Sequence, residues 1–232
     1  MDFIEYKRFA GFFKENYAKV TRLMIMIGII VAAVGGVPAL LGFAMVPGFY
    51  DLRMIFVIIA AAGVVCWGLG SGRVVKDFEF EDVFYRVSRD IKESCESKFG
   101  YADDLKNAVM FEGFVIDKDN VSSVRKFGKK SVSPLGRVCY VYSRKEKFYV
   151  FTRTFSFTEE FVEDKEYDIH FSAISGADYI VENLAEDVEV IKVVVNTAEK
   201  TILDAYVSES NYDIEVFPEN IIHKRNHIMS RM

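Results

Sequence analysis

The sequence predicts a membrane hairpin of two α-helices followed by an α+β domain, in which about seven antiparallel strands form a sandwich or open barrel capped by a C-terminal helix. Two long stretches carry no charge, short runs rich in Val, Ile, Phe and Tyr recur after residue 108, and apolar residues recur at helical spacing near the C-terminus. The predicted segments are an amphipathic N-terminal helix (1–22), the hairpin (23–72), a helical connector (73–104) and a cytoplasmic domain (105–232).

The charge balance and the cysteines limit the classes of function. Residues after Gly72 hold 23 Lys/Arg against 30 Asp/Glu, so this part of the chain is mildly acidic and we expect no nucleic-acid partner. Cys66, Cys95 and Cys139 are too far apart in sequence to indicate a disulfide framework or a Cys-x-x-Cys metal site. Free thiols in the polar part fit a reducing compartment such as the cytoplasm.

Aromatic residues recur every three or four positions in the leader: Phe3, Tyr6, Phe9, Phe13, Tyr17 and, with them, Val20. This spacing predicts an amphipathic helix lying in the membrane interface. The alternative is a cytoplasmic extension of the first membrane span that packs on the following domain.

The two uncharged stretches, 23–47 and 54–72, contain 25 and 19 residues. A helix of about 20 residues crosses the hydrocarbon core, and helices satisfy their backbone groups where no water is present. Because only residues 48–53 separate the stretches, the spans must be antiparallel. A cleaved signal sequence is a poorer interpretation, since its apolar core has about 7–15 residues.

Positive charge is distributed unevenly around the predicted spans. The cations before the first span and after the second span are Lys7, Arg8, Lys14, Lys19, Arg22, Arg73 and Lys76. The connecting loop holds Arg53 alone, so the positive-inside rule places both termini in the cytoplasm, with the hairpin in the inner or plasma membrane.

Small residues recur within the spans, at Gly28, Ala32 and Gly36 in the first and at Ala60 and Gly63 in the second. Such residues let two helix backbones approach closely. We expect them to pack the hairpin against itself, while homodimerisation through the same residues is the alternative. Pro38 is expected to bend the first helix.

After the hairpin, residues 79–98 have helical periodicity and end before Gly100. The residues predicted to share the apolar face are Phe80, Val83, Phe84, Val87 and Ile91. This helix would join the hairpin to the strands.

Seven strands are predicted, at 109–116, 137–144, 147–157, 166–171, 178–182, 188–195 and 201–207. The second and third are expected to form a hairpin through Lys145 and Glu146, and the last two through residues 196–200. Pro218 suits a first helical turn and predicts a terminal helix over 218–232. Its expected apolar stripe is Ile221, Ile222, Ile228, Met229 and Met232.

The segment YDIHFSAISGADYIVE, from Tyr167 to Glu182, and the hairpin VIKVVVNT, from Val190 to Thr197, lead into ILDAY at 202–206. With the strand order and terminal helix, they resemble bacterial pleckstrin-homology-like domains over roughly residues 105–232. The resemblance implies a binding or scaffolding module rather than an enzyme. The polar stretch 208–213 departs from the family pattern and affects the strand count.

The loop 117–136 contains four cations, Arg125, Lys126, Lys129 and Lys130. In eukaryotic relatives of the fold this loop often holds a phosphoinositide headgroup, and each cation near anionic lipid gains about 1 kcal/mol. These residues are therefore candidate lipid-headgroup ligands. Gly128 and other loop-forming residues favour the alternative, a mobile solvated loop.

Glu219, His223 and His227 have a helical spacing that could place metal ligands on one face, but a fourth ligand and a pocket are not evident, so no metal or cofactor is predicted. His170 is interpreted as a structural residue. We expect a membrane-anchored binding, scaffold or regulatory module whose partners are membrane lipid and another protein. The alternative is a small membrane enzyme or a transporter accessory subunit with a site at the boundary between span and domain.

Overall fold

The computed structural model describes residues 3–14, 17–45, 50–72, 74–99, 108–127, 130–208 and 212–231. The chain forms two compact units. The helical unit is Lys7–Lys76, and the sheet domain is Asp77–Met232 together with Met1–Tyr6.

The described part of the chain before residue 77 contains the helices α1 (Phe3–Phe12), α2 (Tyr17–Met45) and α3 (Tyr50–Ser71). Within α2 and α3, Lys19–Leu40 and Met54–Ser71 are long and apolar enough to cross a membrane, as predicted. At 1.5 Å per residue they extend about 33 and 27 Å. Their apolar side chains point mostly outward; Leu40 is 74% exposed.

The leader differs from the prediction of one amphipathic helix over residues 1–22. Helix α1 ends at Phe12 and α2 begins at Tyr17. The rings of Phe12 and Tyr17 meet edge to face with 5.4 Å between centroids, and the Tyr17 hydroxyl accepts from the Val75 N–H at 3.2 Å. Tyr17 thus packs inside the helical unit, and the three- to four-residue periodicity continues across the interruption between the helices.

The sheet domain begins with α4 (Asp77–Phe99) and continues to α5 (Tyr212–Met229), and the described residues between these helices form nine strands. The strands are β1 (Ala108–Phe114), β2 (Arg125–Phe127), β3 (Lys130–Val132), β4 (Leu135–Arg144), β5 (Lys147–Ser156), β6 (Val162–His170), β7 (Ile174–Ala185), β8 (Val188–Thr197) and β9 (Thr201–Val207). They form a four-stranded sheet in the order β1-β4-β5-β6, a three-stranded sheet β7-β8-β9, and the small hairpin β2–β3, all antiparallel.

The two larger sheets come closest where β1 meets β9. The backbone of Gly113 lies so near Tyr206 that a Cβ at residue 113 would be 2.5 Å from the Tyr206 carbonyl, and Ser208 donates its N–H to the Glu112 carbonyl at 3.0 Å. Only glycine permits this approach. The described strands do not close into a barrel.

One face of the four-stranded sheet is covered by α4. Phe80 and Phe84 meet the ring of Phe114 edge to face at centroid distances of 5.4 and 5.2 Å. The residues of α4 that are buried are Phe80, Val83, Phe84, Ser88, Ile91 and Cys95. The predicted face is therefore right except that Val87 is half-buried and the stripe continues through Ser88 to Cys95. Gly100, the predicted stop, lies outside the described residues.

The main core lies between the sheets and α5. Its buried residues are Phe111, Cys139, Val141, Phe148, Val150, Phe171, Ile174, Val193, Val195, Ile202, Leu203, Ala205, Ile214, Phe217, Ile221 and Ile228. Alternate residues of β4 face opposite ways, so the core receives Cys139 and Val141 while Tyr140 and Tyr142 face α4.

All seven predicted strands are present, and Lys145 occupies the predicted β4–β5 turn with a positive φ of 52°. The prediction missed β2–β3, which form within the expected loop 117–136. It also began the last helix too late, because α5 starts at Tyr212 and includes Pro218 in its interior. Ile221 and Ile228 are buried as predicted, whereas Met229 is exposed and Met232 lies outside the described residues.

Candidate functional site

A cleft of about 510 Å³ lies beside the β2–β3 hairpin, between the end of β1 and strands β8 and β9. Its described lining is Phe114, Ile116, Lys126, Lys130, Ser131, Asp187, Glu189, Val190, Ile191, Tyr206, Val207 and Ser208. We call this space the hairpin cleft. It combines two lysines, two acidic residues (Asp187 and Glu189), two serines and aromatic rings. The lysines, serines and rings can contact an anionic ligand with an apolar part, and the two acidic residues reduce the net positive charge that such a ligand meets.

The two lysines of the hairpin cleft attach β2–β3 to the rest of the domain. Lys126 donates from Nζ to the carbonyl oxygen of Asp187 at the β7–β8 turn. Lys130 lies 3.4 Å from Glu81 Oε1 and 3.8 Å from Asp77 Oδ2, both on α4. Part of the positive charge that the sequence showed in this segment is thus offset by acidic neighbours.

The other two predicted headgroup ligands behave differently. Arg125 donates from Nη1 to the backbone carbonyls of Ser122 and Val124 at 3.4 and 3.2 Å. Lys129 lies outside the described residues. The structure therefore brings Lys126 and Lys130 into one cleft, while the contacts shown for Arg125 are with its own preceding turn.

A smaller cavity of about 270 Å³ adjoins the hairpin cleft, and the two share Phe114, Lys130, Val207 and Ser208. The remaining described lining comes from α4, β1 and α5: Asp77, Phe80, Glu81, Phe84, Met110, Glu112 and Ile214. In its wall, Ser88 donates to Glu112 Oε1 at 2.5 Å, which fixes this carboxylate against α4. Lys130 therefore stands where the two spaces meet.

Tyr206 is the most enclosed ring of the hairpin cleft, and two cations lie close to it. Lys192 Nζ is 4.8 Å and Arg137 Cζ is 5.2 Å from the ring centroid. Burial, and secondly the Asp204 carboxylate, raise the pKa of Tyr206 above its usual value. The phenol consequently stays protonated at neutral pH and can donate or accept a hydrogen bond.

Sequence reasoning missed Tyr206, Arg137 and Asp204. Arg137 donates to Asp204 Oδ2 at 2.7 Å and also to Thr154 Oγ1 at 3.0 Å. One signal was available, since Asp204 and Tyr206 alternate with the core residues Leu203 and Ala205 and so share the other face of β9.

A second space, of about 490 Å³, lies between β7 and α5; we call it the β7–α5 groove. Its described lining is Ala177, Asp178, Tyr179, Glu215, Pro218, Glu219, Ile222, His223 and Asn226. Of the three residues with a spacing that could suit metal ligands, Glu219 and His223 line this open groove, and His227 is not part of its described lining. Among the described residues no group of three His, Cys, Asp or Glu side chains is placed to hold a metal ion.

His170 has a structural role, as the sequence suggested. Its Nδ1 accepts from the Ser172 N–H at 3.3 Å and so caps the short 3₁₀ turn Phe171–Ala173, while Nε2 lies 3.0 Å from Glu146 Oε2. These contacts fix the direction in which the chain passes from β6 to β7.

The two cysteines of the sheet domain are buried and unreactive. Burial raises the pKa of both Cys95 and Cys139 from 9.0 to about 12. A thiolate is the nucleophilic form of cysteine, so neither side chain is suited to nucleophilic chemistry near neutral pH.

In the helical unit, close contact between α2 and α3 is made by glycine. A Cβ at Gly28 would lie 2.6 Å from Trp67 Cα, one at Gly63 would lie 2.8 Å from the Gly28 carbonyl oxygen, and each would overlap backbone atoms. Ala32 and Ala60 provide backbone atoms to the same contact. The predicted packing residues Gly28, Ala32, Ala60 and Gly63 are thus placed between the two helices.

Gly36 is the exception and corrects the predicted stripe. A Cβ at Gly36 would meet no described atom within 4 Å, whereas one at Gly35 would lie 2.6 Å from the Phe56 carbonyl oxygen. Seven residues bring an α-helix to within about 20° of the starting direction, but eight residues rotate it about 80° away. Gly35 therefore faces the same side of the helix as Gly28. Gly36, which a strict four-residue spacing predicts to lie on that side, is rotated away from it.

Comparison of this chain with protein-family models, with curated proteins and with solved structures finds no match.

Proposed function

We propose that the chain is anchored in the inner or plasma membrane by α2 and α3, with both termini in the cytoplasm. Two features support this proposal. The two helices have the length and apolar composition of membrane spans. The cations Lys7, Lys14 and Lys76 flank the same end of the pair, as the positive-inside rule requires of a cytoplasmic side.

We propose further that the sheet domain is a pleckstrin-homology-like binding or scaffolding module. This is supported by a four-stranded and a three-stranded antiparallel sheet followed by a terminal helix that packs into the core between them. Such a module would act close to the membrane surface, where a second weak contact gains from the high local concentration that tethering provides.

The ligand we propose for the hairpin cleft is the headgroup of an anionic lipid. The observation that carries this proposal is that Lys126 and Lys130 both line one cleft together with Ser131 and Tyr206. A phosphate would accept hydrogen bonds from these groups and would compete with Asp77 and Glu81 for Lys130. Because the carboxylates of Asp77 and Glu81 already offset the positive charge of Lys130, we expect the affinity for the headgroup to be modest. The headgroup contact therefore depends on the membrane anchor to hold the domain near lipid.

The test uses the full chain in nanodiscs of phosphatidylcholine alone or with one third phosphatidylglycerol. Amide exchange over 125–132 is expected to slow in the anionic discs, and the Lys126→Gln/Lys130→Gln variant should lose this difference. Lys165→Gln is the matched control, since Lys165 pairs with Glu163 on β6 and does not line the cleft. Equal exchange in both kinds of disc for the unchanged chain would overturn the proposed headgroup contact.

A further inference from the structure

Helix α4 has an outer side that its packing on the four-stranded sheet leaves exposed. Its inner side is buried against the sheet by residues such as Phe80 and Phe84. On the outer side, Phe78 is 60% exposed and Tyr85 is 65% exposed, more than any other described aromatic residue. Single exposed apolar residues are common on proteins, so the arrangement of these two along the helix decides whether they form a surface.

The two exposed rings share one side of α4 with two cations. Phe78, Tyr85 and Lys92 follow one another at intervals of seven residues. Seven residues bring an α-helix to within about 20° of its starting direction, so these three side chains lie in one row along about 21 Å of helix. Arg89 lies one turn beyond Tyr85 on the same side, and all four residues are exposed. We call these four residues the α4 outer face.

The cations of the α4 outer face are only loosely paired with acidic neighbours. Arg89 Nε lies 3.8 Å from Glu93 Oε1, and Lys92 Nζ lies 4.0 Å from Glu96 Oε1. Both separations exceed the length of a hydrogen bond, and exposed pairs of this kind contribute less than about 1 kcal/mol. Arg89 and Lys92 can therefore turn toward another anion, such as a phosphate, with little loss of stability.

The position of α4 in the chain determines which surface lies near it. Only residues 72–76 separate Ser71, the last residue of α3, from Asp77, the first residue of α4. At about 3.6 Å per residue this link extends at most about 22 Å. With α3 across the bilayer, as proposed above, the first turn of α4 must lie near the lipid headgroups.

The area of the α4 outer face favours lipid over a protein partner or a second copy of the chain. Aromatic side chains bury about 150–250 Å² each, so two rings offer at most about 500 Å². A stable protein interface buries about 800 Å² on each partner. Aromatic rings at headgroup level and cations near phosphates are instead typical of a helix lying in the membrane interface. Glu81 and Asp82, which lie between the rings in sequence, are paired with Lys130 and Arg86.

We propose that the α4 outer face lies on the lipid surface beside the anchor, with the rings of Phe78 and Tyr85 among the headgroups and Arg89 and Lys92 near lipid phosphates. The proposal rests on the membrane anchor proposed above and adds a lipid contact separate from the hairpin cleft. The face belongs to α4, outside the segment 105–232 that resembles pleckstrin-homology-like domains. Contact along the helix restricts the orientations that the sheet domain can take at the membrane.

The experiment uses the full chain with one tryptophan reporter. Trp67→Phe removes the single tryptophan, and Tyr85→Trp then places a reporter on the α4 outer face. Val181→Trp in the same background is the matched control, since Val181 is 49% exposed and lies on β7 in the other large sheet. Each chain is placed in nanodiscs of phosphatidylcholine, with or without bromine on the acyl chains near the headgroup. Bromine quenches a tryptophan in lipid, and acrylamide in the buffer quenches one that faces water.

Bromine is expected to lower the fluorescence of Tyr85→Trp about twofold, because an aromatic ring at headgroup level lies close to the labelled carbons. Acrylamide should quench this reporter only weakly, and Val181→Trp should show the opposite pattern. Adding Phe78→Ser is expected to reduce the bromine quenching at residue 85, since it removes the neighbouring ring from the interface.

Three results would overturn the proposed lipid contact of α4. Strong acrylamide quenching of Tyr85→Trp without bromine quenching would show that residue 85 faces water. Protection from both quenchers would identify protein, another chain or a second copy, as the cover. Equal bromine quenching of Val181→Trp would show that α4 has no special contact with lipid.

Failure of this proposal is distinguishable from failure of those on which it depends or to which it is adjacent. A chain without a membrane anchor would separate from the discs in size-exclusion chromatography, whereas a chain whose α4 faces water would remain with them. The slowing of amide exchange over 125–132 by anionic lipid reports on the hairpin cleft and does not depend on quenching at residue 85.

Discussion

Arg137 on β4 and Asp204 on β9 form an ion pair, with 2.7 Å between Nη1 and Oδ2, that joins the four-stranded sheet to the three-stranded sheet. The same nitrogen donates to the Asp204 carbonyl oxygen at 2.9 Å, and the guanidinium lies over the Tyr206 ring. Arg137 is mostly buried while Asp204 is partly exposed. The pair therefore fixes how the sheets meet at the hairpin cleft.

Arg137→Met should lower the free energy of unfolding of the sheet domain by about 2 kcal/mol, because it removes three hydrogen bonds and leaves Asp204 without its cation. Arg153→Met is the control, since Arg153 pairs with Asp164 at the outer strand β6 and should cost less than about 1 kcal/mol. Urea unfolding in detergent, followed by circular dichroism, measures both. Equal losses would mean that the inter-sheet pair has no special role.

Substitution of the adjacent residues Gly35 and Gly36 should distinguish the face of α2 that packs on α3 from the open face. Gly35→Leu is expected to force α2 and α3 apart, because even a Cβ at Gly35 overlaps the backbone of Ala60, while Gly36→Leu adds a side chain to an open side. Trp67, the single tryptophan, has its backbone against Gly28 and reports on this contact by fluorescence. Thermal unfolding in detergent should shift downward for Gly35→Leu alone; a similar shift for Gly36→Leu would show that the contact lies elsewhere.

The buried thiols predict loss of stability in alkali. Because burial raises the pKa of Cys139 from 9.0 to about 12, the folded state holds a proton that the unfolded state releases above pH 9. The contribution of this group to stability is therefore complete below pH 9 and is lost as pH rises from 9 to 12. Cys139→Val should reduce the slope of the urea midpoint against pH in that range. An unchanged slope would contradict the linkage.

The pattern of apolar residues was sufficient to predict most helices and strands, because in each of them apolar residues recur clearly at the spacing of that kind of element. Strand 201–207 was predicted with the bounds that β9 has, and Lys145 and Glu146 were recognised as a tight turn. The short strands β2 and β3 were missed because Gly128 and Pro134 indicate a loop, and three-residue strands have too few residues to show alternation.

Two other differences arise from tertiary structure. The sequence predicts that the last helix begins at Pro218, but burial of Ile214 and Phe217 in the core extends α5 toward its N-terminus despite the backbone hydrogen bond lost at Pro218. The Arg137–Asp204 pair joins residues 67 positions apart, and no local period indicates such a partner. The cleft residues Lys126 and Lys130 were found by their charge, whereas the acidic partners of Lys130 on α4 could be identified only from the fold.

We propose above that α2 and α3 cross a membrane and hold the sheet domain on its cytoplasmic side. The most direct test of this proposal is labelling of intact cells with a membrane-impermeant maleimide, using the full chain with Cys66→Ser and a single new cysteine at Gly48, in the predicted outer turn, or at Glu199, on the sheet domain. We predict labelling of Gly48→Cys in intact cells and of Glu199→Cys only after permeabilisation. Labelling of Glu199→Cys in intact cells, or release of the protein from membranes by alkaline carbonate, would show that α2 and α3 do not anchor the chain in this way.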